Sequence, residues 1–113
     1  MTTMEIAMEY TNGISKRDRY NLMTGSGHNL QEYAGQRIGI KAFMLIETPD
    51  SNGEIVRRLK VLTDDGDIVG TASRPFIEGF MAFVECMGAD EATEMEIEQR
   101  TSKAGRHYLA FKA

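Results

Sequence analysis

The residues best equipped for chemistry lie together near the C-terminus. The chain there reads Arg100-Thr101-Ser102-Lys103-Ala104-Gly105-Arg106, three cations, two hydroxyls and a glycine within seven residues, and Tyr108 follows at once. Cations that neutralise phosphates, beside a ring able to stack on any base, are the two components of sequence-tolerant binding to a single nucleic-acid strand. Two further groups join them: Arg57, Arg58 and Lys60 in one basic segment, and Arg37, Lys41 and Phe43 in the segment before it. The alternative for the turn taken alone is a solubilising hairpin with a half-buried tyrosine; the additional basic segments favour the binding account.

Catalysis finds less support. His28 and His107 have no acid or nucleophile partner nearby in sequence, and Thr101-Ser102-Lys103 is no phosphate loop, because its glycine follows the lysine and no helix comes after. Gly25 and Gly27 lack the third glycine and preceding strand of a dinucleotide fingerprint. Glu94, Glu96 and Glu98 share one strand face, but with no companion histidine or metal set they read as a solvated, edge-protecting face. The single cysteine, Cys86, falls in an apolar helical pattern and reads as a small buried hydrophobe. No enzymatic activity, cofactor or metal is expected.

The elements that must position these residues follow from apolar periodicity. Arg37 to Glu47 alternates, with Ile38, Ile40, Ala42, Met44 and Ile46 on a core face and Arg37, Gly39, Lys41, Phe43, Leu45 and Glu47 on the other, which is the candidate ligand face; the alternative is that both faces are covered, with Leu45 in the core. A turn-rich Thr48–Gly53 leads to a second strand, Glu54 to Thr63, so the pair is a long hairpin. Asp65-Gly66 is a two-residue hairpin signal, which places a third strand at about Asp67 to Ala72. Pro75 to Met87 carries Phe76, Phe80, Phe83, Val84 and Met87 at helical spacing, with Ser73 as N-cap and Gly88 as the stop. Strands from Glu94 to Arg100 and from Arg106 to Lys112 close the chain. The order β-β-β-α-β-β is that of the five-stranded oligonucleotide/oligosaccharide-binding (OB) barrel, so the expected class is mainly β, an OB-fold-like barrel over 36–113. Residues 1–35 form an N-terminal extension of the same domain, with a short strand or loosely held arm at Met4–Tyr10, a short helix from Ser15 and a glycine-rich loop.

At 113 residues and without an apolar run of about 18 to 20 residues or a signal peptide, a single cytoplasmic domain is expected. The net charge of −4 argues at first against nucleic acid. The distribution changes that: residues 61–99 hold one Lys or Arg and ten Asp or Glu, whereas the rest of the chain holds twelve and seven. A local basic face binds phosphate even when the total is negative.

Five stretches carry a family likeness: Ile14-Ser15-Lys16-Arg17-Asp18, Gly35-Gln36-Arg37-Ile38, Val61-Leu62-Thr63-Asp64-Asp65-Gly66, Ser73-Arg74-Pro75-Phe76-Ile77 and Thr101-Ser102-Lys103-Ala104-Gly105-Arg106. Over roughly residues 12–112 the chain resembles small single-stranded DNA-binding proteins encoded by bacteriophages of Gram-positive bacteria. The resemblance implies an OB-like fold and a replication role in the host cytoplasm: coating exposed strands, protecting them and removing hairpins alongside replication proteins. The sequence shows no long acidic, glycine-rich tail of the kind that bacterial relatives use to recruit partners. Residues 1–35 are instead the candidate for homo-oligomerisation or for extending the DNA path. A protein-interaction module on the same barrel, using the acidic strand face, is the alternative.

Overall fold

One strand organises the molecule. The computed structural model describes residues 4–25 and 27–113, and within it β3 (Arg37–Pro49) pairs with three other strands. Along one edge it meets β4 (Ile55–Thr63) over almost its whole length; along the other, its first residues meet β6 (Glu94–Thr101) and its later ones β1 (Glu5–Tyr10). The sheet continues from β4 to β5 (Ile68–Thr71) and then to the two-residue β2 (His28–Asn29), and from β6 to β7 (His107–Lys112). The pairing is antiparallel except between β2 and β5. Two helices, α1 (Lys16–Thr24) and α2 (Arg74–Met87), lie on the sheet.

The protein is therefore mainly β, and from Arg37 onward its elements come in the expected order. The sheet curls into an open half-barrel, not the closed five-stranded barrel expected. Its ends are β2 and β7, which are not paired with each other. Of the two alternatives for Met4–Tyr10, the structure has the short strand. β1 extends the sheet, α1 packs on it, and β2 covers the outer edge of β5.

The alternation in β3 reverses at a bulge. Ile40 pairs with Thr63 and Ala42 with Leu62, so Lys41 has no partner across the ladder. An extra residue shifts the side-chain phase by one and sends everything beyond it to the opposite face. Ile38 and Ile40 accordingly share the main core with Phe43 and Leu45, where they meet Leu59 and Val61 of β4 and Phe76 and Phe80 of α2. Ala42, Met44 and Ile46 form the other face with Leu62, under Leu22 of α1. The expected ligand face of Phe43 and Leu45 is thus the floor of the core. Phe43 is fully buried, with its ring edge-on to Phe80 at 4.9 Å and stacked on Tyr10 at 6.0 Å, and it offers no surface for a base.

Other expectations change for similar reasons. β6 lies between β3 and β7 over Glu94–Glu96, so Glu94 and Glu96 protect no edge, while from Glu98 onward it pairs with β7 alone. Cys86 sits on the solvent side of α2, whose buried residues are Phe76, Ile77, Phe80 and Val84. Among the described residues no helix is long and apolar enough to cross a membrane.

Deleting the Phe43 ring should cost about 3–5 kcal/mol, the usual range for a core phenylalanine cut to alanine. The urea midpoint of Phe43→Ala measures this, and an unchanged midpoint would contradict the packing described.

Candidate nucleic-acid interface

Because the half-barrel stays open, its two free ends face each other across a gap, and the gap is a cleft of about 850 Å³. His28 and Asn29 line it from β2, Ile68, Gly70 and Thr71 from β5, and His107, Tyr108 and Leu109 from β7. Arg58 and Lys60 reach it from β4. Gly70 stands directly opposite Lys60 in the ladder and, having no side chain, leaves the floor open above it. The segment before β2 approaches β5 so closely that a Cβ at Gly27 would collide with the Ile68 carbonyl. This close approach is a physical use for one of the two glycines that make no dinucleotide fingerprint.

Among the described residues no lining residue is acidic, in a chain with seventeen Asp and Glu. The acidic residues gather elsewhere: Asp64 and Asp65 in the β4–β5 turn, Asp67 at its end, and the glutamates of β6. Arg58 makes no ion pair among the described residues. Tyr108 is half-buried, with Arg100 as its direct partner across β6 and β7. The turn between these strands is closed by Ser102, whose backbone N–H donates to the Arg106 carbonyl and whose hydroxyl accepts from the Arg106 N–H. Gly105, at φ 82°, supplies the left-handed residue that this turn requires. Lys103 and Arg106 are exposed in this turn, four residues and one residue before the cleft-lining His107, and neither lines the cleft itself.

The expected site residues thus separate into groups. Arg58, Lys60 and Tyr108 come together in the cleft, whereas Lys103 and Arg106 do not line it and sit in the turn that leads into its β7 wall. Arg57 does not join Arg58, since successive strand residues point to opposite faces; it lies on the α2 side, 3.8 Å from Glu47. Arg37 is bonded to Glu94 at 2.7 Å and lies 4.0 Å from Glu96, and Arg100 is bonded to Glu98 at 3.2 Å. The Arg37 bond holds the Glu94 carboxyl below its usual range and raises Arg37 itself, as Glu98 does for Arg100. Lys41 is exposed on the bulge and does not line the cleft. Phe43 is excluded by burial.

Lys60 has a different task from the one expected. Its ammonium donates to the carbonyls of Met23 at 3.3 Å and Gly25 at 2.7 Å, at the C-terminal end of α1, where helix carbonyls lack partners. Burial, and then the charge of Arg58, pull its pKa below the ordinary lysine value. Lys60 therefore ties α1 and the segment leading to β2 onto the sheet, and so holds one wall of the cleft.

Sequence alone gives neither His28 nor His107 a partner for catalysis, and neither is among the expected site residues. In the structure both line the cleft. His28 is braced edge-on against Tyr33 at 6.1 Å and lies 3.5 Å from Glu32; the His107 Nδ1 is 3.2 Å from the Thr101 hydroxyl. The glycine before His28 is a signal for close backbone approach, but only folding brings β2 and β7 to opposite sides of one gap. Comparisons with protein-family models, with curated proteins and with solved structures yield no match.

Lys60→Met keeps the bulk and removes the ammonium. Stability should fall by about 1–3 kcal/mol, as for the removal of hydrogen bonds from a charged donor, measured as a lower urea midpoint. A midpoint equal to the parent's would show that the tie carries no stability.

Proposed function

We propose that this protein binds single-stranded DNA without sequence preference, in the cleft between β2 and β7, and that it coats exposed strands during phage DNA replication. The observation that carries the reading is the cleft's composition: a cationic and ring-bearing lining without one carboxylate, in a chain whose net charge is negative. Arg58 has donors free for phosphate, and Lys103 and Arg106 extend the positive potential along the β7 side. Tyr108, with His28 and His107, supplies ring faces on which bases stack; stacking tolerates any base because every base has a π-face.

Two further points support it. From Arg37 onward the elements follow one another as in the OB fold, whose members bind oligonucleotides, and the first and fourth of these strands pair, although the barrel stays open between the third and fifth. The five stretches that resemble phage single-stranded DNA-binding proteins include the Thr101–Arg106 turn beside the cleft. The competing reading, an assembly module using the acidic face of β6, loses ground on charge. Glu94, Glu96 and Glu98 each face an arginine or lysine of the same sheet, so that face is largely neutralised.

Titration of labelled oligo-dT at low salt tests the proposal. Binding should be micromolar or tighter, and its logarithm should fall linearly with the logarithm of salt concentration. Tyr108→Ala should weaken it roughly tenfold or more, since each stacked base contributes about 1–3 kcal/mol. Replacing Lys103 and Arg106 together by glutamine should lower the salt slope by about 0.7 for each phosphate that is no longer neutralised. An absence of binding by the parent protein would sink the nucleic-acid reading and favour the assembly module.

A further inference from the structure

The cleft has a continuation. β5 ends at Thr71, opposite Leu59, while β4 begins four residues earlier at Ile55, so β4 from Ile55 to Arg58 has no strand beside it on that edge. Around this bare edge the two faces of the sheet communicate. On the far face lies a second groove of about 430 Å³, between the β3–β4 hairpin and the start of α2. Ala72 lines both grooves, and its side chain is small.

The alternation of β4 places a cation on each side of this crossing. Arg58 faces the first cleft and Arg57, its neighbour in the chain, faces the second groove, where Arg74 joins it. Both arginines of the second groove have carboxylate neighbours, Glu47 at 3.8 Å from Arg57 and Glu78 at 3.6 Å from Arg74. Glu47 and Glu78 line this groove as well, and their ion pairs are longer than hydrogen bonds, so a phosphate docking here competes with these carboxylates for the guanidinium N–H groups. The groove also offers Ile55, 60% exposed, as an apolar surface.

We infer that a bound single strand leaves the first cleft around the bare edge of β4 at Ala72 and continues in the second groove, where Arg57 and Arg74 take its phosphates. The inference rests on the nucleic-acid reading of the first cleft and adds a second subsite, reached only by longer strands. It also gives adjacent arginines on opposite faces a common purpose, since together they hand one backbone from face to face.

The test is the dependence of affinity on oligo-dT length from about 4 to about 16 nucleotides, the range of site sizes for OB folds. It compares the parent protein with Arg57→Gln/Arg74→Gln and with Arg58→Gln. Both arginines of the double variant are on the surface, with Arg74 88% exposed, and thermal melting checks that the fold is kept. The double variant should match the parent on the shortest oligonucleotide that binds and bind the longest about tenfold or more weakly, with a salt slope lower by about 1.4 there, two phosphates at roughly 0.7 each. Arg58→Gln should weaken binding at every length. If the double variant gains affinity with length as the parent does, the second subsite does not exist. If the parent binds at no length, the reading of the first cleft fails and the extension with it, so the two failures are distinguishable.

Discussion

The structure depends on burying both faces of β3. A strand covered on both sides needs a layer on each, and the chain supplies α2 on one and α1 on the other. Phe43, Leu45 and their neighbours sit beneath α2; Ala42, Met44 and Ile46 sit beneath α1. The N-terminal segment is consequently part of the core architecture, because without Leu22 and its helix a row of apolar side chains on β3 and β4 would face water. Covering the second face also leaves the remainder of that face, beyond the reach of α1, as the floor of the cleft.

The open barrel and the cleft have one cause. β5 is short, and β2 occupies its outer edge, the edge that pairs with the last strand in a closed barrel. β7 is held by β6 on one side and by α2 on the other, where Phe111 meets Phe76, Phe80 and Phe83. The aromatic cluster fixes the far end of β7 against the core and leaves its beginning, His107 to Leu109, to form the opposite wall. A gap floored by sheet and walled by two strand ends is more persistent than one formed by loops alone.

Charge is arranged by the same geometry. The glutamates of β6 find their cations in β3, β7 and their own strand, which neutralises that face and consumes Arg37 and Arg100. The acidic turn at Asp64–Asp67 lies outside the cleft lining. Of the cations without a carboxylate partner among the described residues, Arg58 lines the cleft and Lys103 and Arg106 lie in the turn that leads to its β7 wall, whereas Lys16, Arg17 and Lys41 lie outside its lining. Segregation along the sequence thus becomes segregation in space, although the individual residues involved are not those that counting alone would select.

By itself the sequence determined the elements from Arg37 onward and their order, since Asp65-Gly66, Gly88 and Gly105 punctuate apolar patterns whose periods distinguish strand from helix. It also singled out the Arg100–Arg106 turn and Tyr108, and Tyr108 does line the cleft. Tertiary structure decided which side of β3 meets the core, because one unpaired residue, Lys41, inverts the phase of every residue after it. It decided which cations are free, because Glu94, Glu98 and the carbonyls of Met23 and Gly25 reach Arg37, Arg100 and Lys60 only through pairing and packing. The site itself, a gap between β2 and β7, joins segments far apart in the chain, and no local pattern records a strand pair that fails to form.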